Sequence, residues 1–299
     1  MSFHLKGYKI IAKIGKGTFS DVYRVKDRQI GIHYAAKRLN EKCESLNDSR
    51  FYAEVDLMKT VPSHPNILSI LGLVHDNDCL TFIMDLMDMN LFDLIHTRKR
   101  GLSESHARKI LIQIIRGLEH LHRNGLFHRD IKPENILIKF VDGPHRKEIV
   151  QLGDFGLVAR ITDPLPLQPY ISTRWYRAPE CMLTMGYYGP KIDVWAVGCC
   201  FYEMVTREAL FPGEDERHML DLIHEVLGTP SQSLLAKFRM KRESFHFERR
   251  QPKDFRSLVP LLSVGGVDVL KKTIVYLPEQ RISTRKLLEH IYFEDFVYV

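Results

Sequence analysis

The chain has 299 residues, 44% of them apolar and 27% charged, with Gly 18 and Pro 14. That length allows about one or two domains with a substantial buried core, and the composition excludes a disordered, collagen-like or low-complexity chain. Lys plus Arg number 43 against 37 Asp plus Glu, a net charge of +6; so mild an excess does not demand nucleic acid or an acidic membrane, and dispersed surface charge is the simpler reading.

Along the chain, the opening MSFHLKGYKI lacks the extended apolar core of a signal peptide. Residues 8–14 and 22–25 predict strands either side of a glycine-containing turn, and 32–39 is a third apolar-rich run. A helix is expected over 48–60. A second strand pair follows at 68–75 and 80–85, across Asp76-Asn77-Asp78. Beyond Asp88 the period changes. Ser103 reads as an N-cap, ahead of Ile110, Leu111, Ile114, Ile115, Leu118 and Leu121 at helical spacing. Further helices are expected at 192–206, 218–227, 266–275 and 284–290. The apolar stretch 194–202 is too short to span a bilayer and reads as a buried helix. The pattern is α+β: a strand-rich N-terminal part, then a larger helical one, with the switch near 85–90.

The five cysteines, Cys43, Cys79, Cys181, Cys199 and Cys200, are odd in number and form no CxxC pair. A disulfide framework or structural zinc site is therefore not expected, and a reducing compartment, the cytoplasm, fits best. The basic clusters Arg98-Lys99-Arg100 and 239–250 could serve as nuclear import signals, but interspersed acids such as Glu243 and Glu248 favour solvated surface.

Gly15-Lys16-Gly17-Thr18-Phe19-Ser20 lies between two predicted strands. Glycines let backbone amides approach phosphate closely. No helix follows, so this is not a dinucleotide fingerprint, and it lacks the ending of a Walker A loop. Alone it would be an ordinary hairpin turn. Lys37, on the apolar strand Tyr34-Ala35-Ala36-Lys37, strengthens the phosphate reading, because a buried lysine needs an anionic partner; Glu54 on the next helix could supply one. A strand-end lysine reaching water remains the alternative.

The most informative segment is Phe127-His128-Arg129-Asp130-Ile131-Lys132-Pro133-Glu134-Asn135. Gly153-Asp154-Phe155-Gly156 and Ala178-Pro179-Glu180 follow it. Phosphoryl transfer needs a group to orient the attacking hydroxyl and oxygen ligands for Mg²⁺. Asp130 fits the first need, Asn135 and Asp154 the second. Each short motif alone could be a surface turn; their ordered set does not arise by chance.

On these residues the chain resembles a eukaryotic protein kinase over essentially all 299 residues. HRDIKPEN, Arg174-Trp175-Tyr176-Arg177-Ala178-Pro179-Glu180, Leu210-Phe211-Pro212-Gly213 and Gly228-Thr229-Pro230 resemble the CMGC group. GTFS, LMDMNLFDLI and YISTRWYRAPEC resemble the male germ cell-associated kinase branch, MOK-like members above all. The resemblance implies a bilobal fold with an antiparallel-sheet N-lobe over 1–86 and a mainly helical C-lobe over 87–299, with a CMGC-type insert at about 210–260.

It also implies ATP and Mg²⁺. Ile14, Gly15, Lys16, Gly17, Thr18, Phe19, Ser20 and Val22 would cover the nucleotide, with Ala35, Met84, Asp85, Leu86, Met87 and Leu137 around the adenine. Lys37, paired with Glu54, would bind the α- and β-phosphates. Asp130 would be the catalytic base, Lys132 would steady the transferring phosphate, Asn135 and Asp154 would hold Mg²⁺, and Thr173 would brace the catalytic loop. His128, Phe155, Met58 and Ile70 would form a stacked apolar spine. Glu180 would pair with Arg281, and Asp193 would anchor the catalytic loop.

Three departures stand out. Ser20 replaces the third glycine, Ala53 stands where an arginine is common, and Gln168-Pro169-Tyr170 replaces threonine-x-tyrosine, leaving Tyr170 as the phosphosite with Arg174 and Arg177 to receive it. The stretch 140–149 reads as a lengthened hairpin. The implied activity is proline-directed serine/threonine phosphorylation by a monomer acting on protein substrates with Ser/Thr-Pro sites, with no nucleic acid or membrane partner. A nucleotide-binding pseudokinase scaffold is the alternative.

Overall fold

The computed structural model describes residues 5–17, 20–41, 60–76, 78–141, 147–167, 174–238 and 247–296. The chain divides into two compact units, residues 1–89 with 137–156, and residues 90–136 with 157–299.

In the first unit, β1 (Tyr8–Lys16), β2 (Ser20–Asp27), β3 (His33–Leu39), β4 (Ile70–Asp76) and β5 (Cys79–Asp85) form an antiparallel sheet in the order β1-β2-β3-β5-β4. β5 lies between two neighbours, and Leu80 to Met84 are all buried, with Thr81 the one polar residue among them. Leu5, Val25, Ala36 and Ile83 make a small core, lined by Tyr8, Ile10, Tyr23, Tyr34 and Val74. β1 carries irregularities between Ile10 and Ala12 and between Lys13 and Gly15, which bend the strand at the glycine loop.

A short β6 (Met89–Asn90) precedes the helical part. β8 (Ile136–Val141) and β9 (Lys147–Leu152) are neighbours in a second sheet. Their attachment is backbone pairing: Leu68 N–H donates to Leu152 O at 2.8 Å, and Leu152 N–H to Asn66 O at 2.9 Å. The Asn66 amide adds a bond to Val150 O at 2.8 Å, and Asp88 N–H reaches Ile138 O at 3.0 Å. These bonds explain why 137–156 clusters with the N-terminal strands, where a division at 86/87 would have put it in the C-terminal part. Of the expected helix at 48–60 only Thr60, which is helical, is described, and the turn of the lengthened hairpin lies outside the described residues.

The second unit is helical. α1 spans Leu91–His96, and α2, Glu104–Arg123, is capped by Ser103, whose hydroxyl accepts from His106 N at 3.3 Å. The helical-spaced residues from Ile110 to Leu121 form its buried face. β7 (Leu126–Phe127) pairs antiparallel with β10 (Ala159–Arg160). After the short α3 (Pro179–Leu183) comes α4 (Lys191–Thr206), buried on every side from Ile192 to Met204. A Cβ at Gly198 would sit 2.5 Å from Thr273 Oγ1, so only glycine admits this approach of α4 to α8 (Val264–Thr273). The expected insert region carries α5 (Glu216–Leu227), α6 (Gln232–Leu235) and α7 (Phe255–Leu258); α9 is Thr284–Leu288. No helix among the described residues is long and apolar enough to cross a membrane.

Candidate active site

Each unit carries part of the predicted set. In the first, Gly15 pairs with Val22 across β1 and β2, and a Cβ there would come within 3.3 Å of the Val22 side chain. Gly17 N–H closes the loop on Ser20 O at 2.7 Å. Lys16 pairs with Asp21, and Ile14 stays exposed. Thr18, Phe19, Met58 and Glu54 lie outside the described residues, so the expected Lys37–Glu54 pair does too.

Register then places the rest. Val22 stands opposite Lys37, Lys37 opposite Phe82, and Ala35 opposite Met84, with Ala35 and Met84 both buried. Asp85, Leu86 and Met87 follow where β5 ends. Lys37 is 12% exposed at its side chain, and its Nζ donates to Asp154 Oδ1 at 2.7 Å across a gap of 117 residues. Asp154 keeps 49% of its side chain exposed and holds a left-handed backbone, φ 59°. Asp tolerates that region better than most residues, and such conformations concentrate at functional sites. Gly153 admits Leu137, whose Cδ1 would lie 2.9 Å from an added Cβ. Phe155 is buried in the same unit, and Ile70 begins β4.

In the second unit, the loop after β7 is fixed by one carboxylate. Asp193, 1% exposed near the start of α4, accepts His128 N–H at Oδ2 (2.8 Å) and Arg129 N–H at Oδ1 (2.9 Å). This anchorage is the one expected from the sequence. Arg129 takes φ 68°, and its guanidinium donates to Leu157 O at 3.2 Å and Tyr188 Oη at 2.7 Å. Asp130 is 6% exposed. Its Oδ2 accepts from Lys132 Nζ at 3.0 Å and from Asn135 Nδ2 at 2.8 Å, and the Asn135 amide also reaches Asp130 O at 2.8 Å. Asp130 N–H donates to His128 Nδ1 at 3.2 Å, so that nitrogen is an acceptor. Burial raises the Glu134 carboxyl above the ordinary range.

Glu180 and Arg281 meet as expected, at 2.7 and 3.0 Å. Arg177 is buried with Nη1 3.9 Å from Glu216 Oε1, and Arg174 donates to Glu214 O at 3.4 Å. Gln168, Tyr170 and Thr173 lie outside the described residues.

Sequence reasoning missed three participants. His122 reaches Asp193 Oδ2 at 2.8 Å, Tyr188 holds Arg129, and Glu203 accepts from Tyr176 Oη at 2.6 Å while meeting His96 at 3.1 Å. Only Glu203 left a signal, as a carboxylate inside the apolar run of α4.

Each unit by itself carries an oxygen donor of the kind a hard divalent cation takes. With both Asn135 amide hydrogens committed to Asp130, the group that Asn135 has left to offer is its carbonyl oxygen, and Asp154 offers a half-exposed carboxylate. Among the described residues no three His, Cys, Asp or Glu side chains could hold a metal by themselves. Mg²⁺ commonly takes only one or two protein oxygens together with substrate phosphates.

The model of the protein kinase domain matches residues 8–293. The chain is 40% identical over 294 residues to the human MAPK/MAK/MRK overlapping kinase, covering 97% of this chain and 68% of that protein. It is 35% identical over 291 residues to cyclin-dependent kinase F-3 of Oryza sativa subsp. japonica, covering 97% of this chain and 65% of that protein. Against the serine/threonine-protein kinase MAK of Rattus norvegicus it is 35% identical over 289 residues, covering 96% of this chain and 45% of the relative.

Proposed function

The chain belongs to the protein kinase family, and on that premise we propose how its residues transfer the ATP γ-phosphate to serine and threonine hydroxyls of proteins. The observation that carries the assignment is the Asp130 carboxylate, buried and held at one oxygen by Lys132 and Asn135. A carboxylate so oriented accepts the proton of the attacking hydroxyl as its oxygen bonds to the γ-phosphorus and the ADP oxygen leaves. Lys132, beside it, balances charge on the transferring phosphoryl group. Lys37 binds the α- and β-phosphates, and the glycine loop supplies backbone amides over them. Asn135 and Asp154 would hold Mg²⁺, which when bound neutralises phosphate oxygens.

The substrate preference belongs to the same reading. Residues 171–174, ISTR, match the loop that in CMGC kinases leaves a backbone carbonyl unable to pair with a following amide. Proline has no N–H to strand there, avoiding an unpaired donor worth about 1–3 kcal/mol. Tyr170 is the proposed activation-loop phosphosite. The protein would act as a monomer in the cytoplasm, and microscopy of the tagged chain tests whether it also enters the nucleus.

A peptide array with Mg²⁺ATP tests the proposal, with Asp154→Asn as the control. Incorporation at Ser/Thr-Pro peptides, lost in the control, supports it. Nucleotide binding with no transfer on any peptide would replace it with a scaffold role, and equal rates with proline or alanine after the acceptor would remove proline direction.

A further inference from the structure

Asp193 is reached from a second direction. His122 Nε2 lies 2.8 Å from the Oδ2 that also accepts the His128 amide. On the other side of the imidazole, Nδ1 is 3.3 Å from Thr284 Oγ1, and the same hydroxyl donates to Glu119 Oε2 at 2.6 Å. Glu119 and His122 are three residues apart on α2 and share a face. Thr284 opens α9 and is 3% exposed. One hydrogen-bonded chain therefore runs from Glu119 through Thr284, His122 and Asp193 to the backbone that leads into Asp130.

We infer that Thr284 is a positioning residue for the catalytic loop, acting through the His122 ring on Asp193. The inference rests on the proposed role of Asp130. The torsion that turns an imidazole about its own axis is soft and broad. A ring tied only at Nε2 swings about that bond, whereas a ring tied at both nitrogens has its plane fixed. Asp193, as a carboxylate, only accepts, so Nε2 must present its hydrogen to Oδ2. The one hydroxyl hydrogen of Thr284 goes to Glu119, so Thr284 meets the opposite nitrogen as an acceptor, and the chain is closed when the ring carries a hydrogen on Nδ1 as well as on Nε2. With the ring fixed, Oδ2 stays aimed at the His128 amide and Oδ1 at the Arg129 amide. A methyl-for-hydroxyl exchange at 284 keeps the shape of the side chain and removes only the tie.

The experiment uses the full chain carrying Thr284→Val, Thr284→Ser, His122→Gln, and the Val and Gln changes together. Thr284→Val should lower kcat about five- to tenfold, the size of one hydrogen bond, with KM for ATP within about twofold of the parent. It should also speed amide hydrogen exchange at His128 and Arg129, and Thr284→Ser should restore both values. The double variant should be no slower than His122→Gln alone, because one chain is broken only once. Parental kcat and parental exchange at these amides in Thr284→Val, even with a lower melting temperature, would overturn the inference. Strictly additive losses in the double variant would overturn it as well. If the parent transferred no phosphate at all, the proposed function would fall while the exchange rates still decided whether Thr284 holds the loop.

Discussion

Arg281 and Glu180 form a bidentate ion pair at 2.7 and 3.0 Å, with neither side chain more than 2% exposed. The guanidinium also donates to Val275 O at 2.9 Å and Lys191 O at 2.7 Å and stands 5.1 Å from the Trp195 ring. Removing one partner strands a charge without water. Arg281→Met should therefore destabilise the protein by about 3–5 kcal/mol, and Glu180→Leu added to it should recover a large part of that loss. Urea denaturation of the single and double variants checks the sign of the recovery.

Lys37 and Asp154 answer a different question, because their pair links proposed phosphate and metal ligands in one unit. Asp154→Asn should abolish phosphate transfer while leaving the melting temperature within a few degrees of the parent, since half of the Asp154 side chain is exposed. Lys37→Met should impair transfer by misplacing the phosphates. Radiolabel incorporation measured beside thermal melts separates lost chemistry from lost fold.

Tyr170 has no threonine partner two residues before it, Gln168 standing there instead. A single-site switch at Tyr170 is the proposal to be tested. Phosphate on Tyr170 would bring a charge of about −1.5 to −2, suited to arginine. Mass spectrometry of active recombinant protein should find phosphate on Tyr170, and Tyr170→Phe should be several-fold slower. An unmodified tyrosine in fully active protein, with an equally fast phenylalanine variant, would leave only a packing role.

His224 should register in acid stability. Its ring is buried between Phe247 and Tyr276, at centroid distances of 4.4 and 5.7 Å, with Nε2 3.1 Å from Tyr276 Oη. Burial pushes its pKa down from 6.5 to about 4; nearby Asp221 opposes the shift, and Arg250 adds to it. Between those values the unfolded chain takes up a proton that the folded chain refuses, so His224 subtracts stability as pH falls from 6.5 toward 4. His224→Gln does not titrate. The stability gap between parent and variant should therefore shift in the variant's favour over that window, as read from urea midpoints at three pH values. A gap independent of pH would contradict the assignment.

Much of this molecule is legible in one dimension. The Ser103 cap and the spacing from Ile110 to Leu121 announce α2, and an apolar run about Trp195 announces a helix buried on all sides. The loop chemistry is legible because its residues are neighbours: Asp130, Lys132 and Asn135 fold onto one another within six positions. What escapes is pairing at long range. Leu68 and Leu152 are both apolar, and nothing in either segment says which backbone it will meet. The same holds for His122, whose ring is an ordinary helix residue until Asp193 arrives from 71 positions away.

The three demands placed on Asp193 narrow the routes by which this protein can vary. Asparagine at 193 would turn one acceptor oxygen into a donor facing an N–H, and glutamate would push both oxygens outward by a methylene, away from the His128 and Arg129 amides. Any lineage that altered position 193 would have to change the 128–129 backbone and His122 in the same step. Drift is thus steered to residues such as Leu261 and Val264, which face water.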